Sequence, residues 1–181
     1  MNVVEVRVHG LILEHKAQQN IVILRELDGV RILPIWIGPG EAQAIRRLLS
    51  EEPFPRPLTH DLLQIIVEGL KAKVTRVVIA DLRENTFFAN IVIQKDGEVL
   101  SIDARPSDSV AVALRAKAPI FVNEQLLQDP PKEGEGESAE AGEGAEAGEM
   151  PKRALTDEEK AEQLRRYLED MDPEDFGKFS M

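Results

Sequence analysis

Near the start of the chain Val4, Val6, Val8 and Ile12 alternate with Glu5, Arg7 and His9, the period of two that a strand with one wet face demands. A second apolar run, Ile21 to Leu27, meets Asp28-Gly29 and then Val30 to Ile37, which reads as a hairpin. Pro34 has no amide hydrogen for a ladder, so that second arm is expected at a sheet edge or a bulge. Gly38-Pro39-Gly40 ends the alternation and the period changes: Ala42, Ile45, Leu48 and Leu49 share one helical face while Gln43, Arg46 and Arg47 point away. After a loop rich in proline, Thr59 is the expected N-cap of a second helix. Its stripe is Leu62, Leu63, Ile66, Val67 and Leu70, and Gly69, Lys71 and Lys73 mark its end.

Three more strands follow, Val74 to Leu82, Phe87 to Gln94 and Glu98 to Asp103, the last two joined across Asp96-Gly97. Phe87, Ala89, Ile91 and Ile93 give the middle one a fully apolar face. A third helix starts near Ser107 and buries Val110, Ala113 and Leu114, and Pro119-Ile120-Phe121-Val122 reads as a short closing strand. The pattern predicts an α+β domain over residues 1–128, a mostly antiparallel sheet packed with about three helices. Residues 129–152 reduce to Gly, Glu and Ala and have almost nothing to bury, so a disordered acidic linker is expected there. In the helical tail expected over 153–181, Thr156 and Glu159 have capping-box spacing, and Ala161, Leu164, Leu168 and Met171 form a narrow stripe.

Charge changes the picture only when divided along the chain. The 181 residues carry a formal charge of -11, yet residues 1–128 hold 15 Lys+Arg against 16 Asp+Glu, and the remainder 7 against 17. The near-neutral domain is therefore compatible with a polyanionic partner on a locally basic face, for which Arg46-Arg47 with Arg56, and Lys71 with Lys73 and Arg76, are the available clusters. The chain has no cysteine, which excludes disulfides, thiolate metal sites and a cysteine nucleophile. Charges interrupt the first hydrophobic stretch and no apolar run approaches membrane-spanning length, so a cytoplasmic protein is expected.

The candidate chemistry sits at the helix starts. Gly38-Pro39-Gly40-Glu41 precedes the first, Arg56-Pro57-Leu58-Thr59-His60-Asp61 the second and Arg105-Pro106-Ser107-Asp108 the third. Capping alone selects Ser, Thr and Asp at such positions, but it does not require an Arg before Pro twice, nor His60 between a cap and an acid. Helix N-termini with an adjacent Arg suit phosphate, which points to Arg56, Arg105, Thr59 and Ser107 as phosphate ligands if these starts converge. Phosphodiester hydrolysis needs an activated water, charge neutralisation and help for the leaving oxygen. Glu41, His60, Asp61 and Asp108 are the candidate catalytic set, and Glu41, Asp61, Asp103 and Asp108 the candidate ligands for a hard divalent ion, Mg²⁺ or Mn²⁺. Their spacing matches no compact metal motif. His9 on a polar strand face and His15 in a turn read as exposed histidines, and Trp36 beside the glycine-rich break reads as packing at the sheet edge or, as the alternative, as a subunit contact.

Four ordered segments carry a resemblance. Leu33 to Ala42 (LPIWIGPGEA), Pro55 to Leu62 (PRPLTHDL), Ile102 to Ser109 (IDARPSDS) and Pro119 to Val122 (PIFV) are similar to the signature segments of the bifunctional nuclease family. The turn Leu82-Arg83-Glu84-Asn85-Thr86-Phe87 departs from the Asp-Gly-Thr-Phe-Tyr type expected in relatives, so Asn85 must adopt the positive φ that glycine adopts freely. The resemblance implies a compact α+β domain that self-associates, with a dimer as the first expectation, acting on DNA and RNA. The expected function is hydrolysis of phosphodiester bonds in nucleic acid. The alternative is a non-catalytic oligomeric module that uses the same helix starts to bind a phosphorylated ligand or a regulatory protein.

Overall fold

The computed structural model describes residues 2–13, 20–52 and 54–130, so His15, most of the expected acidic linker and the expected C-terminal helix lie outside the described residues. The described elements run β1 (Val3–Leu13), β2 (Asn20–Glu26), β3 (Ile32–Ile37), α1 (Pro39–Leu49), α2 (Thr59–Gly69), β4 (Lys73–Arg83), β5 (Thr86–Lys95), β6 (Glu98–Ala104), α3 (Pro106–Ala116) and β7 (Ile120–Asn123), closed by a 3-10 turn at Glu124–Leu126. No helix among the described residues is long and apolar enough to cross a membrane.

The seven strands form one sheet in the order β3-β2-β1-β7-β4-β5-β6, and every neighbouring pair is antiparallel except β4 with β7. Each half is a meander, and the short last strand, apolar at Ile120 and Val122, sits between them as a central strand. Pro34 lies on edge strand β3, where its missing amide leaves no inner ladder bond unmade. The turn of the first hairpin spans Leu27 to Arg31 rather than Asp28-Gly29 alone, because Arg31 Nη2 reaches back to Glu26 Oε1 at 2.7 Å and Glu26 N donates to Arg31 O. The β4–β5 turn places both Glu84 and Asn85 at positive φ, 48° and 59°, the twist that a two-residue connection needs.

Strands β2 and β3 are almost wholly buried, and with Val77, Ile79 and Val122 from the central strands they form one face of the core. Helix α3 lies on that core with Val110, Ala111 and Ala113 fully covered, and its small residues let it approach the sheet closely. Helix α1 adds Ala42 and Ile45, whereas Leu49 at the end of its expected stripe is exposed. The apolar stripe expected on α2 forms but is not buried: Leu62, Leu63, Ile66 and Leu70 are each 43–59% exposed. Helix α3 holds the central position over the sheet, so α2 is left to pack on its flank and reaches the strands through Val67, which joins Val74, Ile93 and Val112. The N-cap of α2 is likewise Leu58 and not Thr59; the carboxylate of Asp61 accepts from Leu58 N at 2.8 Å and starts the helix one residue early.

Candidate active site at three helix starts

Each of the three helices begins on a loop that leaves the sheet, and α1 and α2 both pack against α3, so their first turns come together. Helix α1 opens after Gly38 with Pro39 at its first position, and α3 opens after Arg105 with Pro106, both residues pre-set for helical φ. Asp108 in the first turn of α3 is 2.9 Å from His60 Nε2 at the start of α2. Its other oxygen accepts from Arg105 Nε at 2.7 Å, and Arg105 Nη2 is 2.9 Å from Glu41 Oε1 in the first turn of α1. Glu41, Arg105, Asp108 and His60 thus form one continuous polar chain across all three helix starts. Gly38 helps to hold its first member: a Cβ there would collide with the Glu41 carboxylate as it folds back over the helix end.

Burial raises the pKa of the Asp108 carboxyl, but hydrogen bonds from Arg105 and His60 and their charges outweigh it and hold the group below the usual carboxylate range. Arg105 is pushed up in turn by its hydrogen bond and ion pair with Asp108 and, more weakly, by Glu41. An ionised Asp108 can only accept, so His60 carries its proton on Nε2 and presents Nδ1 as the atom that can take or give another. The His60 side chain is 12% exposed and the Arg105 side chain 49%, so the imidazole is sheltered while the guanidinium meets solvent.

Asp61 belongs to a different cluster. Its Oδ1 pairs with Arg115 Nε from the last turn of α3, and Arg115 also donates to Ala111 O at 3.0 Å and to Ala44 O of α1. Burial raises the Asp61 pKa, while bonds from Arg115 and Leu58 N outweigh that and lower it overall. Arg115, only 6% exposed, ties the three helices together and was not singled out from the sequence; its one signal is that it lies seven residues after Asp108, on the same face of α3. Arg56 is exposed, lies outside both clusters and has no ion pair among the described residues. It lines a cleft of about 700 Å³ beside α2, together with Arg47, Phe54, Arg115 and Lys117, and the Arg47 guanidinium lies 4.9 Å from the Phe54 ring centre. Thr59 is exposed on the first turn of α2, while Ser107 is 1% exposed, so its hydroxyl faces the interior and not the surface of the site.

The four carboxylates proposed as metal ligands do not gather. Asp103 is exposed on β6 opposite Asn90, both oxygens of Asp61 and of Asp108 accept hydrogen bonds, and Glu41 is paired with Arg105. Among the described residues no three His, Asp or Glu side chains are placed to hold a metal ion. The arrangement of the described residues as it stands does not fit a resident divalent ion.

The sequence model of the bifunctional nuclease domain matches residues 22–133, a span that holds all three helix starts and both clusters. This chain belongs to that family. An uncharacterized protein of Mycobacterium tuberculosis is 37% identical over 176 residues, covering 95% of this chain and 97% of the relative. Bifunctional nuclease 1 of Oryza sativa subsp. japonica is 27% identical over 118 residues, and bifunctional nuclease 2 of Arabidopsis thaliana 26% over 118, each match covering 63% of this chain and 36% of the plant protein. The matched segment is about a third of each of those plant chains, and the family model covers most of the described residues of this one.

Proposed function

We propose that this bifunctional nuclease domain hydrolyses phosphodiester bonds in nucleic acid at the Glu41–Arg105–Asp108–His60 chain. The observation that carries the reading is the His60–Asp108 contact at 2.9 Å with Arg105 beside it, a base, its orienting acid and an exposed cation at one convergence of helix N-termini. Asp108 fixes the imidazole so that Nδ1 accepts the proton of an attacking water. The departing oxygen, on the opposite side of the phosphorus in an in-line displacement, takes its proton from solvent. Arg105 neutralises the scissile phosphate, and Glu41 orients Arg105 from the far side. Phosphates farther along the strand are taken by Arg56 and Lys117 in the cleft lined by the last turns of α1 and α3 and by Asp61 of α2.

Activity is tested by cleavage of plasmid DNA and of a structured RNA in the presence of Mg²⁺, Mn²⁺ or EDTA. Replacement of His60 or Asp108 by alanine is expected to reduce turnover by at least about 100-fold, the usual weight of a positioned acid–base group. A second reading has its own support: every carboxylate of both clusters is already engaged by an arginine, a histidine or a backbone amide, as in a binding site built around cations. A non-catalytic module predicts thermal stabilisation by oligonucleotide or inorganic phosphate with no turnover in any arm of that assay.

A further inference from the structure

Two exposed apolar side chains of the helix layer face away from the sheet. Leu49 ends the α1 stripe at 46% exposure, and Ile65 of α2, 49% exposed, shares a helical line with Leu58 and Asp61 rather than with Val67. Both line the cleft of about 700 Å³ at the last turns of α1 and α3. A cleft of that size with aliphatic walls suits one planar group and its substituents.

Phe54 supplies the flat surface. The Arg47 guanidinium lies over its ring, 4.9 Å from the centre, and the residue is still 53% exposed, so one face is backed by a cation and the other is open. Pro55 and Pro57, on either side of Arg56, restrict the loop that carries the ring. The charges around it are mixed: Arg56 and Lys117 line the cleft, and so do the exposed acids Glu51 and Glu52. A bare anion would be repelled by those two acids. A nucleotide unit of a polynucleotide matches the whole set, because its base offers a π face and amino groups that carboxylates accept from, while its phosphates meet the cations.

We propose that the cleft takes an unpaired base of a nucleic-acid strand, stacked on Phe54 with Arg56 and Lys117 on the flanking phosphates, so that the domain selects single-stranded substrate. That the strand is then cut rests on the reading above; the stacking itself requires no cleavage. A base inside a duplex has both faces covered by its neighbours and reaches Phe54 only after unstacking and unpairing. Every base has a π face, so the ring does not discriminate among bases, and DNA and RNA strands are both expected to bind. Arg115 follows Asp108 by seven residues of α3, a rise of about 10 Å, so the stacked base flanks the scissile bond at the His60–Asp108 pair.

The test is fluorescence anisotropy with the full chain carrying His60→Ala, in EDTA, so that binding is read without turnover. The labelled probes are DNA and RNA single strands of about eight nucleotides, a usual site size for a single-strand groove, the same DNA as a duplex, and an abasic strand of equal length. Both single strands are expected to bind about 5- to 100-fold more tightly than the abasic strand, the usual weight of one base on an aromatic ring, and more tightly than the duplex. In the same background Phe54→Leu should abolish the gap between base-bearing and abasic strands and Phe54→Trp should keep it, with melting temperatures unchanged. Equal binding with and without bases, or a gap that survives Phe54→Leu, overturns the proposal. A gap lost in both Phe54 variants also overturns it, because the ring would then only shape its loop. A gap that follows Phe54 while the unsubstituted chain cleaves nothing upholds the stacking site and removes the hydrolytic reading; cleavage by the unsubstituted chain with no gap does the reverse.

Discussion

Two acids in the first turns of neighbouring helices do different work here. Asp108 contacts a histidine and an exposed arginine, whereas Asp61 pairs with the buried Arg115, so the proposed function uses Asp108 to position the base and leaves Asp61 a structural part. Arg115→Ala would leave the Asp61 carboxylate with only the Leu58 amide and remove the side-chain link between α3 and Ala44 O of α1. A loss of about 2–4 kcal/mol in unfolding free energy by urea denaturation is expected, below the full cost of a wholly buried pair because Asp61 is partly solvated. The sign of the pH effect follows from the lowered Asp61 pKa. Its stabilisation is complete above the unfolded carboxylate value, about 4, and fades as the pH falls through the lower folded value. The gap in melting temperature between wild type and Asp61→Asn should therefore be constant from pH 8 to 5 and close below about pH 4; a gap that widens on acidification would contradict the pairing. His60, Asp108, Arg105 and Glu41, the four side chains that meet in one cluster, were all candidates in the sequence, because Arg before Pro and His beside a helix start are not needed by any helix. What was not legible was which acid faces which cation, since that depends on how α1 and α2 flank α3, and helical periodicity does not encode it.

At the scale of elements, the positive-φ residues of the hairpins are the clearest local prediction. Glu84 holds φ 48° in the β4–β5 turn, a region that charges a side chain about 1–2 kcal/mol, so Glu84→Gly should raise stability by about 0.5–1 kcal/mol after the entropy of a freer unfolded chain is counted. Gly97→Ala at φ 85° should lower it by about 1 kcal/mol. Thermal melts of the two variants, moving in opposite directions, check the turn assignment. The strands and helices were readable because alternation and the 3.6-residue period are local properties of side chains. Two readings failed at the same kind of place. The α2 stripe looks like any buried stripe, and its exposure follows from α3 occupying the middle of the sheet, a matter of layer order and not of amphipathicity. Thr59 looked like a cap, but the reach of Asp61 to Leu58 N sets the boundary.

For the whole molecule, the uneven charge distribution governs encounter with a polyanion. The phosphate contacts proposed above are three, Arg105 at the cluster and Arg56 and Lys117 in the cleft, so binding of a single-stranded oligonucleotide should show a shallow salt dependence, a slope of log K against log salt of about -2. Arg56→Ala should make that slope about 0.7 less steep and weaken binding without regard to base sequence, as read by fluorescence anisotropy at several salt concentrations. The placing of cations, base and acids around the start of α2 is what makes one compact domain a candidate for both gripping and cutting a phosphodiester chain.

The most direct measurement is cleavage of plasmid DNA and structured RNA by wild type, His60→Ala and Asp108→Ala proteins purified identically, with Mg²⁺, Mn²⁺ and EDTA arms and melting temperatures alongside. Hydrolysis by wild type that falls at least about 100-fold in both variants, with folding retained, is the predicted result. Equal cleavage by all three proteins, or none by wild type in any arm, would contradict the assignment of this cluster as a nuclease centre.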